Sequence, residues 1–252
     1  MTTKPGGAWI ARVKPRPALR LFCFPYAGGG ASIFRQWASL LPSEIDVCAL
    51  YLPGRESRLR EPAFTDVTAL VQTLTDVLRP YLDVPFALAG HSMGGVIAFE
   101  FARALRANHL RGPAHLFVSA QRAPQLPPRH APIHHLKGEE FNRALARLGG
   151  TPQAVLEHKE LMELLFPVLQ ADFTLYENYA YTSAPPLDCP ISAFYGEQDH
   201  LVSEYELAAW REQTSSTFAL RGIPGNHFFI HGSQEPFVRS IASDLHSLLR
   251  VM

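Results

Sequence analysis

The chemistry-bearing stretch of this chain is Phe86-Ala-Leu-Ala-Gly90-His91-Ser92-Met93-Gly94-Gly95-Val-Ile-Ala-Phe-Glu100, a glycine-flanked serine at the seam between an apolar run and an alanine-rich pattern. The order strand, tight turn, helix is that of a nucleophile elbow, in which the turn lifts a hydroxyl above the strand end where a base can reach it. Gly90 and Gly94 suit such a turn because side chains would collide where the strand and helix backbones approach. The five-residue pattern is weak by itself, since glycine makes up roughly 7% of residues and chance matches occur. Its flanks carry the weight: a short continuous apolar run reads as a buried parallel strand, and a helical pattern follows at once.

A serine hydroxyl is a poor nucleophile until a base removes its proton, and the base needs an acid to hold its tautomer. Tyr195-Gly196-Glu197-Gln198-Asp199-His200 places carboxylates just past an apolar run, and Pro224-Gly225-Asn226-His227-Phe228-Phe229 places a histidine on a glycine-flanked loop before the last helical pattern. Glu197 and Asp172 compete with Asp199 for the acid. The offset of Asp199 after its strand gives it reach toward His227, whereas Asp172 belongs to a helical pattern, so Asp199 is the expected partner. The order Ser92, Asp199, His227 is that of α/β-hydrolases.

Eleven histidines require a choice. His227 is expected as the base, His200 as a loop neighbour of the acid, and His91 as a locally packed or hydrogen-bonded residue. His130, His134 and His135 stand among prolines without cysteine or acidic ligands at suitable spacing, so they read as exposed residues and not as a metal site. A tetrahedral oxyanion requires two preorganised N–H donors. One is expected from Met93, at the start of a helix whose dipole helps. The other is expected from the loop Pro25-Tyr26-Ala27-Gly28-Gly29-Gly30-Ala31, with Ala27 as donor. That loop lacks the Gly-Lys-Ser/Thr of a phosphate loop and the six-residue glycine spacing of a dinucleotide site.

These residues need a scaffold that brings strand ends to one edge, and the strand and helix signals alternate accordingly. Strands are predicted at Leu19–Phe24, Ile45–Leu50, the elbow strand, Ala114–Ala120, Ile191–Tyr195 and near Thr217–Leu220. Helices are predicted at Ser32–Leu41, Asp66–Leu82 with Pro80 ending or kinking it, the elbow helix through Asn108, Tyr205–Gln213 and Pro236–Leu249. At Gln121 the rhythm breaks, and Pro124, Pro127, Pro128 and Pro132 exclude continuous helix or central strand. Helical material follows at Glu139–Leu148, closed by Gly149-Gly150, with Thr151-Pro152 restarting as N-cap and first-turn proline. Glu157–Phe166 and Val168–Tyr179 then read as helices interrupted by Pro167. The expected architecture is one domain, a mostly parallel doubly wound sheet (core 18–121 and 187–252) with a helical lid insertion at about 122–186, over the C-terminal strand ends.

Bulk composition sets limits. In 252 residues, 47% hydrophobic content with 18% charged supports one sizeable core, and equal counts of Lys+Arg and Asp+Glu, 23 each, give no global attraction to nucleic acid or a membrane surface. Met1 to Pro17 is polar, with Lys4, Arg12, Lys14 and Arg16, and lacks the apolar core of a secretory signal. No stretch reads as a membrane span. Three cysteines, Cys23 and Cys48 in predicted strands and Cys189, read as buried thiols in a reducing cytoplasm. A monomer is the default expectation.

Taken together, the residues resemble the stand-alone type II thioesterases that accompany polyketide synthases and nonribosomal peptide synthetases. The resemblance covers nearly the whole chain. It rests on Phe24-Pro25-Tyr26-Ala27-Gly28-Gly29, Leu52-Pro53-Gly54-Arg55-Glu56-Ser57-Arg58, the Gly90–Gly95 elbow, Leu148-Gly149-Gly150-Thr151-Pro152, Ala171-Asp172-Phe173, Gly196-Glu197-Gln198-Asp199 and Gly225-Asn226-His227-Phe228. One departure is Gln170, where relatives often carry an arginine. The resemblance implies hydrolysis of acyl thioesters on the phosphopantetheine arm of acyl or peptidyl carrier domains, with Ser92 as nucleophile, His227 as base, Asp199 as its orienter and no resident cofactor. It further implies a lid enclosing an acyl chamber. Met162, Leu165, Phe166, Leu169, Phe173 and Tyr176 are candidate lining, with Tyr26 and Phe228 near the reacting centre, although such stripes are as often plain core. Arg55, Arg58 and Arg60, or the basic N-terminal stretch, are candidates for docking an acidic carrier. A general carboxylesterase or lipase-like hydrolase would use the same three residues. Acyl transfer to an alcohol or amine, or a non-catalytic carrier-binding protein, are the other readings.

Overall fold

In the computed structural model, which describes residues 9–10, 13–151 and 153–251, the continuous apolar runs become the strands of one sheet. They are β1 (Leu19–Phe24), β2 (Ile45–Ala49), β3 (Phe86–His91), β4 (His115–Ser119), β5 (Ile191–Gly196) and β6 (Phe218–Ile223). Their order is β2-β1-β3-β4-β5-β6, and every neighbouring pair is parallel. Every residue of β1, β3 and β4 is buried, as expected of strands covered by helices on both faces.

The helices are α1 (Trp37–Leu40), α2 (Val67–Leu78), α3 (Met93–Ala107), α4 (Gly138–Leu148), α5 (Gln153–Leu156), α6 (Lys159–Glu177), α7 (Glu204–Ala208), α8 (Phe229–Gly232) and α9 (Gln234–Val251). Alternation along β1 divides the core. Phe22 and Phe24 pack with Leu70 and Leu74 of α2 and Val96 and Phe101 of α3, while Leu19, Leu21 and Cys23 pack with Trp37 and with Val238 and Ile241 of α9. The chain runs outward from β1 to β2, then crosses back to β3. The order therefore reverses between β1 and β3, the switch point where loops splay apart and leave a crevice. The loops after β1 and β3, which carry Ala27 and Ser92, flank that crevice.

Several boundaries differ from the sequence reading for local reasons. The helix expected at Ser32–Leu41 is split into a 3-10 turn, Ala31–Phe34, and the single turn of α1. α2 begins after Asp66, whose carboxylate accepts the Ala69 N–H at 2.7 Å, and gives way around Pro80 to a 3-10 turn, Arg79–Tyr81. Pro167 does not interrupt its helix: α6 runs continuously across it. Pro167 lies on the exposed side, where the carbonyl it leaves unpaired reaches water, while Val168, Leu169 and Asp172 on the other side are buried. α4 ends at Gly149 with φ 70°, the left-handed cap expected of glycine. Pro152, read as a first-turn proline, lies outside the described residues, as do Lys4 and Arg12.

The segment between β4 and β5 has its own small core. Phe141 and Leu145 of α4 pack with Met162 and Leu169 of α6, edged by Leu165, Phe166 and Phe173. All three cysteines are buried and free, and burial pushes the thiols of Cys23 and Cys48 up, and Cys189 up to about 12, so none is a thiolate near neutrality. No helix among the described residues is long and apolar enough to cross a membrane.

Candidate active site

The turn from β3 into α3 holds Ser92 at φ 52° and ψ −122°. A non-glycine residue at positive φ is strained, and such strain persists where surrounding structure over-determines it. Here the crossing does so. A β-carbon at Gly90 would overlap the Gly94 carbonyl, and one at Gly94 would overlap the carbonyls of Phe24 and Pro25. Backbone thus passes against backbone on both sides of the serine. Ser92 stands at the N-cap of α3, yet its hydroxyl caps nothing and is left for a tertiary partner.

That partner is His227. Its Nε2 lies 3.1 Å from Ser92 Oγ, and its Nδ1 lies 2.9 Å from Asp199 Oδ2. The Asp199 side chain is fully shielded from solvent and that of His227 is 7% exposed. The other Asp199 oxygen, Oδ1, accepts the Leu201 and Val202 N–H groups at 2.8 and 3.2 Å. The carboxylate is therefore fixed with one oxygen on backbone and one on the imidazole. Of its rivals, Glu197 is exposed and Asp172 is committed elsewhere. The loops after β5 and β6 approach so closely that a β-carbon at Gly196 would overlap the Gly225 and Asn226 carbonyls, which brings residues 28 apart in sequence together.

His91 contributes tertiary structure that its position in the elbow did not foretell. Its Nε2 lies 2.9 Å from the His227 carbonyl oxygen, and its Nδ1 lies 2.8 Å from Ser119 Oγ. A carbonyl only accepts, so Nε2 carries the proton and donates, and Nδ1 accepts from the Ser119 hydroxyl. Burial, with the neighbouring His227 second, holds the His91 pKa well below its ordinary value, in keeping with this neutral tautomer. Around His227 stand Tyr26, whose ring meets Phe228 edge-on at 5.1 Å, and Phe228 itself, 5.0 Å from the imidazole. Tyr26 Oη bonds His231 Nε2 at 2.8 Å.

The loop after β1 forms the Tyr26–Gly29 turn, closed by a Gly29 N–H to Tyr26 carbonyl bond of 2.9 Å. Gly28 has φ 79°, the conformation required at the third position of a type II turn. Among the described residues, the N–H groups of Ala27 and Met93 have no protein partner, Met93 because it is the first residue of α3. A nucleophile, a base, a fixed acid and two uncommitted N–H donors form an arrangement able to attack an acyl carbon and hold the oxyanion that results.

The arginines expected to dock a partner are placed differently. Arg55 is 6% exposed and Arg58 8%. Arg55 forms a bidentate pair with Asp172, Nη1–Oδ2 2.6 Å and Nη2–Oδ1 2.7 Å. Arg58 pairs with Glu61 and stacks 4.0 Å over Trp9. Planar guanidinium groups suit such enclosed sites, and only Arg60 of the three is exposed. The basic N-terminal stretch is described only in part: Lys14 Nζ donates to Ser43 and Ile45 carbonyls, each at 2.8 Å, and Arg16 is exposed.

The candidate lining residues pack chiefly within the insertion. Met162 and Leu169 are buried in the insertion's own core, Leu165, Phe166 and Phe173 edge it, and Tyr176 packs toward the main core. An apolar helical face without a sheet beneath it buries itself against its neighbours, here α4 and α5. His134 pairs with Glu177 at 2.6 Å, whereas His130 and His135 are exposed. Gln170 donates to the His134 carbonyl at 3.0 Å, tying α6 to the proline-rich stretch.

Comparison with known proteins places these features in a family. The family model described as Thioesterase domain matches residues 19–249. The chain is 43% identical over 239 residues to the gramicidin S biosynthesis protein GrsT of Aneurinibacillus migulanus, covering 95% of this chain and 93% of that one. It is 43% identical over 232 residues to a Brevibacillus parabrevis protein named linear gramicidin dehydrogenase LgrE, covering 91% and 88%. Among solved structures it superposes on the RedJ thioesterase of the prodiginine biosynthetic pathway in Streptomyces coelicolor with a TM-score of 0.84 at 37% identity, covering 94% and 92%.

Proposed function

From the premise that the chain belongs to the thioesterase family and is a hydrolase of thioesters, we propose that it cleaves acyl groups from the phosphopantetheine arm of acyl or peptidyl carrier domains through an acyl-serine intermediate. The observation that carries this reading is the continuous chain Ser92 Oγ, His227 Nε2, His227 Nδ1, Asp199 Oδ2, with links of 3.1 and 2.9 Å. Ser92 Oγ attacks the thioester carbonyl carbon while His227 Nε2 takes its proton. The oxyanion is held by the Ala27 and Met93 N–H groups. Collapse expels the pantetheine sulfur, which receives the proton from His227. Water, deprotonated in turn by His227, then cleaves the acyl-serine and restores the hydroxyl. Asp199 keeps Nδ1 protonated throughout, so that Nε2 is the basic nitrogen.

The chemistry calls for no metal or organic cofactor, because the substrate brings its own phosphopantetheine. The pathways of these relatives, gramicidin S and prodiginine biosynthesis, support an editing or release role beside a modular synthase. The name of LgrE speaks of dehydrogenation, but the glycine loop here lacks dinucleotide spacing and the hydroxyl–imidazole–carboxylate chain serves acyl transfer. Residues 122–186 act as the lid: the Leu169 side chain crowds Gly28 beside the oxyanion turn, and Gly150 lies against the Phe228 ring beside His227. An acyl chain enters by parting the cluster of Met162, Leu165, Phe166, Leu169 and Phe173, with Tyr176, Tyr26 and Phe228 nearer the thioester. The enzyme works as a cytoplasmic monomer.

The test is intact-protein mass spectrometry after mixing with a panel of acyl-loaded carriers. A transient acyl adduct on Ser92, lost together with turnover in Ser92→Ala, is expected. Hydrolysis by Ser92→Ala at the wild-type rate would overturn the mechanism. Preference for simple oxygen esters over carrier-bound thioesters, or acyl transfer to added alcohols or amines in place of water, would overturn the substrate assignment.

A further inference from the structure

Asp172 and Arg55 are buried charges that the mechanism above leaves unused. They come from distant parts of the chain, one from the middle of the lid helix α6 and the other from the loop after β2, and they meet against the Tyr26–Gly29 turn. Asp172 Oδ2 accepts the Gly28 N–H at 2.7 Å, and Arg55 Nη1 donates to the Gly29 carbonyl at 3.1 Å. The next loop residue completes the hold: the Glu56 carboxylate accepts the Ala31 and Ser32 N–H groups at 2.9 and 3.0 Å. Met93, the second expected oxyanion donor, lines a small cavity together with Arg55 and Asp172.

The bond from Gly28 has a particular consequence. In a four-residue turn closed by the first carbonyl and the fourth N–H, types I and II differ by a flip of the middle peptide. Here the middle peptide is Ala27–Gly28, and its N–H is the group that Asp172 accepts. The carboxylate therefore selects the flipped form in which Gly28 has positive φ. Removing the pair frees the middle peptide to turn over and takes away the two bonds that tie the turn to α6 and to the loop after β2, so the Ala27 N–H, on a turn no longer anchored, loses its fixed place relative to Ser92. The acceptor is carried by the lid helix, so seating of the lid and the shape of the turn are one event.

We propose that the Arg55–Asp172 pair is a positioning device for thioester hydrolysis, setting the oxyanion-binding turn in its working conformation when α6 is seated. The proposal rests on the acyl-serine reading and deepens it. Neither side chain touches substrate. Their effect is on where the Ala27 N–H stands when negative charge develops on the carbonyl oxygen. Loss of one complete oxyanion donor costs about 10²–10³ in kcat, and a displaced donor retains part of its effect.

The experiment compares wild type with Arg55→Lys, Asp172→Asn and the double variant Arg55→Met/Asp172→Leu, which leaves no buried charge unpaired. The full-length protein is assayed on a short-chain acyl N-acetylcysteamine thioester, with rates normalised to the folded fraction from near-ultraviolet circular dichroism. Arg55→Lys keeps the charge but loses the two-pronged geometry, and it serves if the double variant does not fold. For the double variant kcat is expected to fall about 10- to 100-fold with KM within about threefold, and for Arg55→Lys by a smaller factor in the same direction. Affinity for an acyl trifluoromethyl ketone, which forms a tetrahedral adduct with the serine, should fall in step with kcat/KM, while affinity for the carboxylic acid product stays level.

A merely structural role would lower the folded fraction and leave kcat per folded molecule within threefold of wild type; that result overturns the proposal. So does a loss of kcat with ketone affinity unchanged. Ser92→Ala is run in parallel. If it hydrolyses the thioester as fast as wild type, the acyl-serine reading fails first. If it is inactive while the pair variants match wild type, only the positioning role fails.

Discussion

Replacing Asp199 with asparagine leaves the shape of the site intact and reverses its proton logic. Asp199 Oδ1 accepts two backbone N–H groups, from Leu201 and Val202, and only Oδ2 faces His227. An asparagine has one oxygen. Placed on the two N–H groups, that oxygen leaves the amide NH2 facing His227 Nδ1. The flipped amide would set NH2 against both backbone donors and leave them unsatisfied, at about 1–3 kcal/mol each in this shielded position. The first orientation therefore wins. His227 must then offer a lone pair at Nδ1 and carry its proton on Nε2, where it points at Ser92 and cannot receive the hydroxyl proton.

A wrong-tautomer histidine of this kind lowers kcat by about 10⁴, equivalent to about 5.5 kcal/mol of transition-state free energy. Because the backbone bonds persist, the melting temperature should change little. Single-turnover hydrolysis of an acyl N-acetylcysteamine thioester measures the rate, and ¹⁵N chemical shifts of His227 read the tautomer directly. An Asp199→Asn variant within tenfold of wild type, or one whose imidazole still carries its proton on Nδ1, would refute the reasoning.

Two other predictions concern the scaffold. A β-carbon at Gly94 would sit 2.7 Å from the Pro25 oxygen and closer still to the Phe24 carbonyl. Gly94→Ala must therefore push α3 off the sheet, with overpacking of about 1–3 kcal/mol or more, read by urea denaturation; a variant as stable as wild type would contradict the crossing geometry. At the far pole of the sheet, His115 donates from Nε2 to Ser192 Oγ at 2.9 Å, and Ser192 donates to Asp244 at 2.7 Å. Burial is the largest influence on His115 and brings its pKa to about 4. The unfolded chain, near 6.5, binds the proton more readily, so this contribution to stability is complete above pH 6.5 and is lost as pH falls toward 4, amounting to about 3 kcal/mol. Urea midpoints across pH 7 to 4 should show a shallower slope in His115→Gln; equal slopes would exclude the assignment.

The fold was legible wherever the signal was local. β1 is bounded as its apolar run is bounded, and α4 stops at the glycine that can adopt positive φ. It was less legible where burial overrode propensity. Pro167 read as a break, yet a proline on the solvent side of α6 costs the helix less than unburying Met162, Leu169 and Leu175 would. The apolar stripe on α6 was ambiguous in principle, because a chamber wall and a packed core ask for the same residues at the same spacing. Only the position of α4 distinguishes them.

The same division governs the site. Ser92, Asp199 and His227 could be read because each follows a strand, and parallel strands deliver their ends to one edge whatever the distance in sequence. The function of Arg55 obeyed no such rule. Its sequence neighbours Glu56, Ser57 and Arg58 make it look like part of a solvated charged loop, and an arginine's default is exposure. Its partner lies 117 residues away on a helix whose pattern marks Asp172 as just another helical position. A charge becomes an internal strut only through an opposite charge that the tertiary fold brings to it, and no local spacing records that meeting. The correction to the docking expectation follows from this. Two of the three arginines were already spoken for within the molecule, so a carrier that depends on positive charge at this loop has Arg60 to meet, and Arg60→Ala is the substitution there that can change docking without disturbing the turn beneath Ser92.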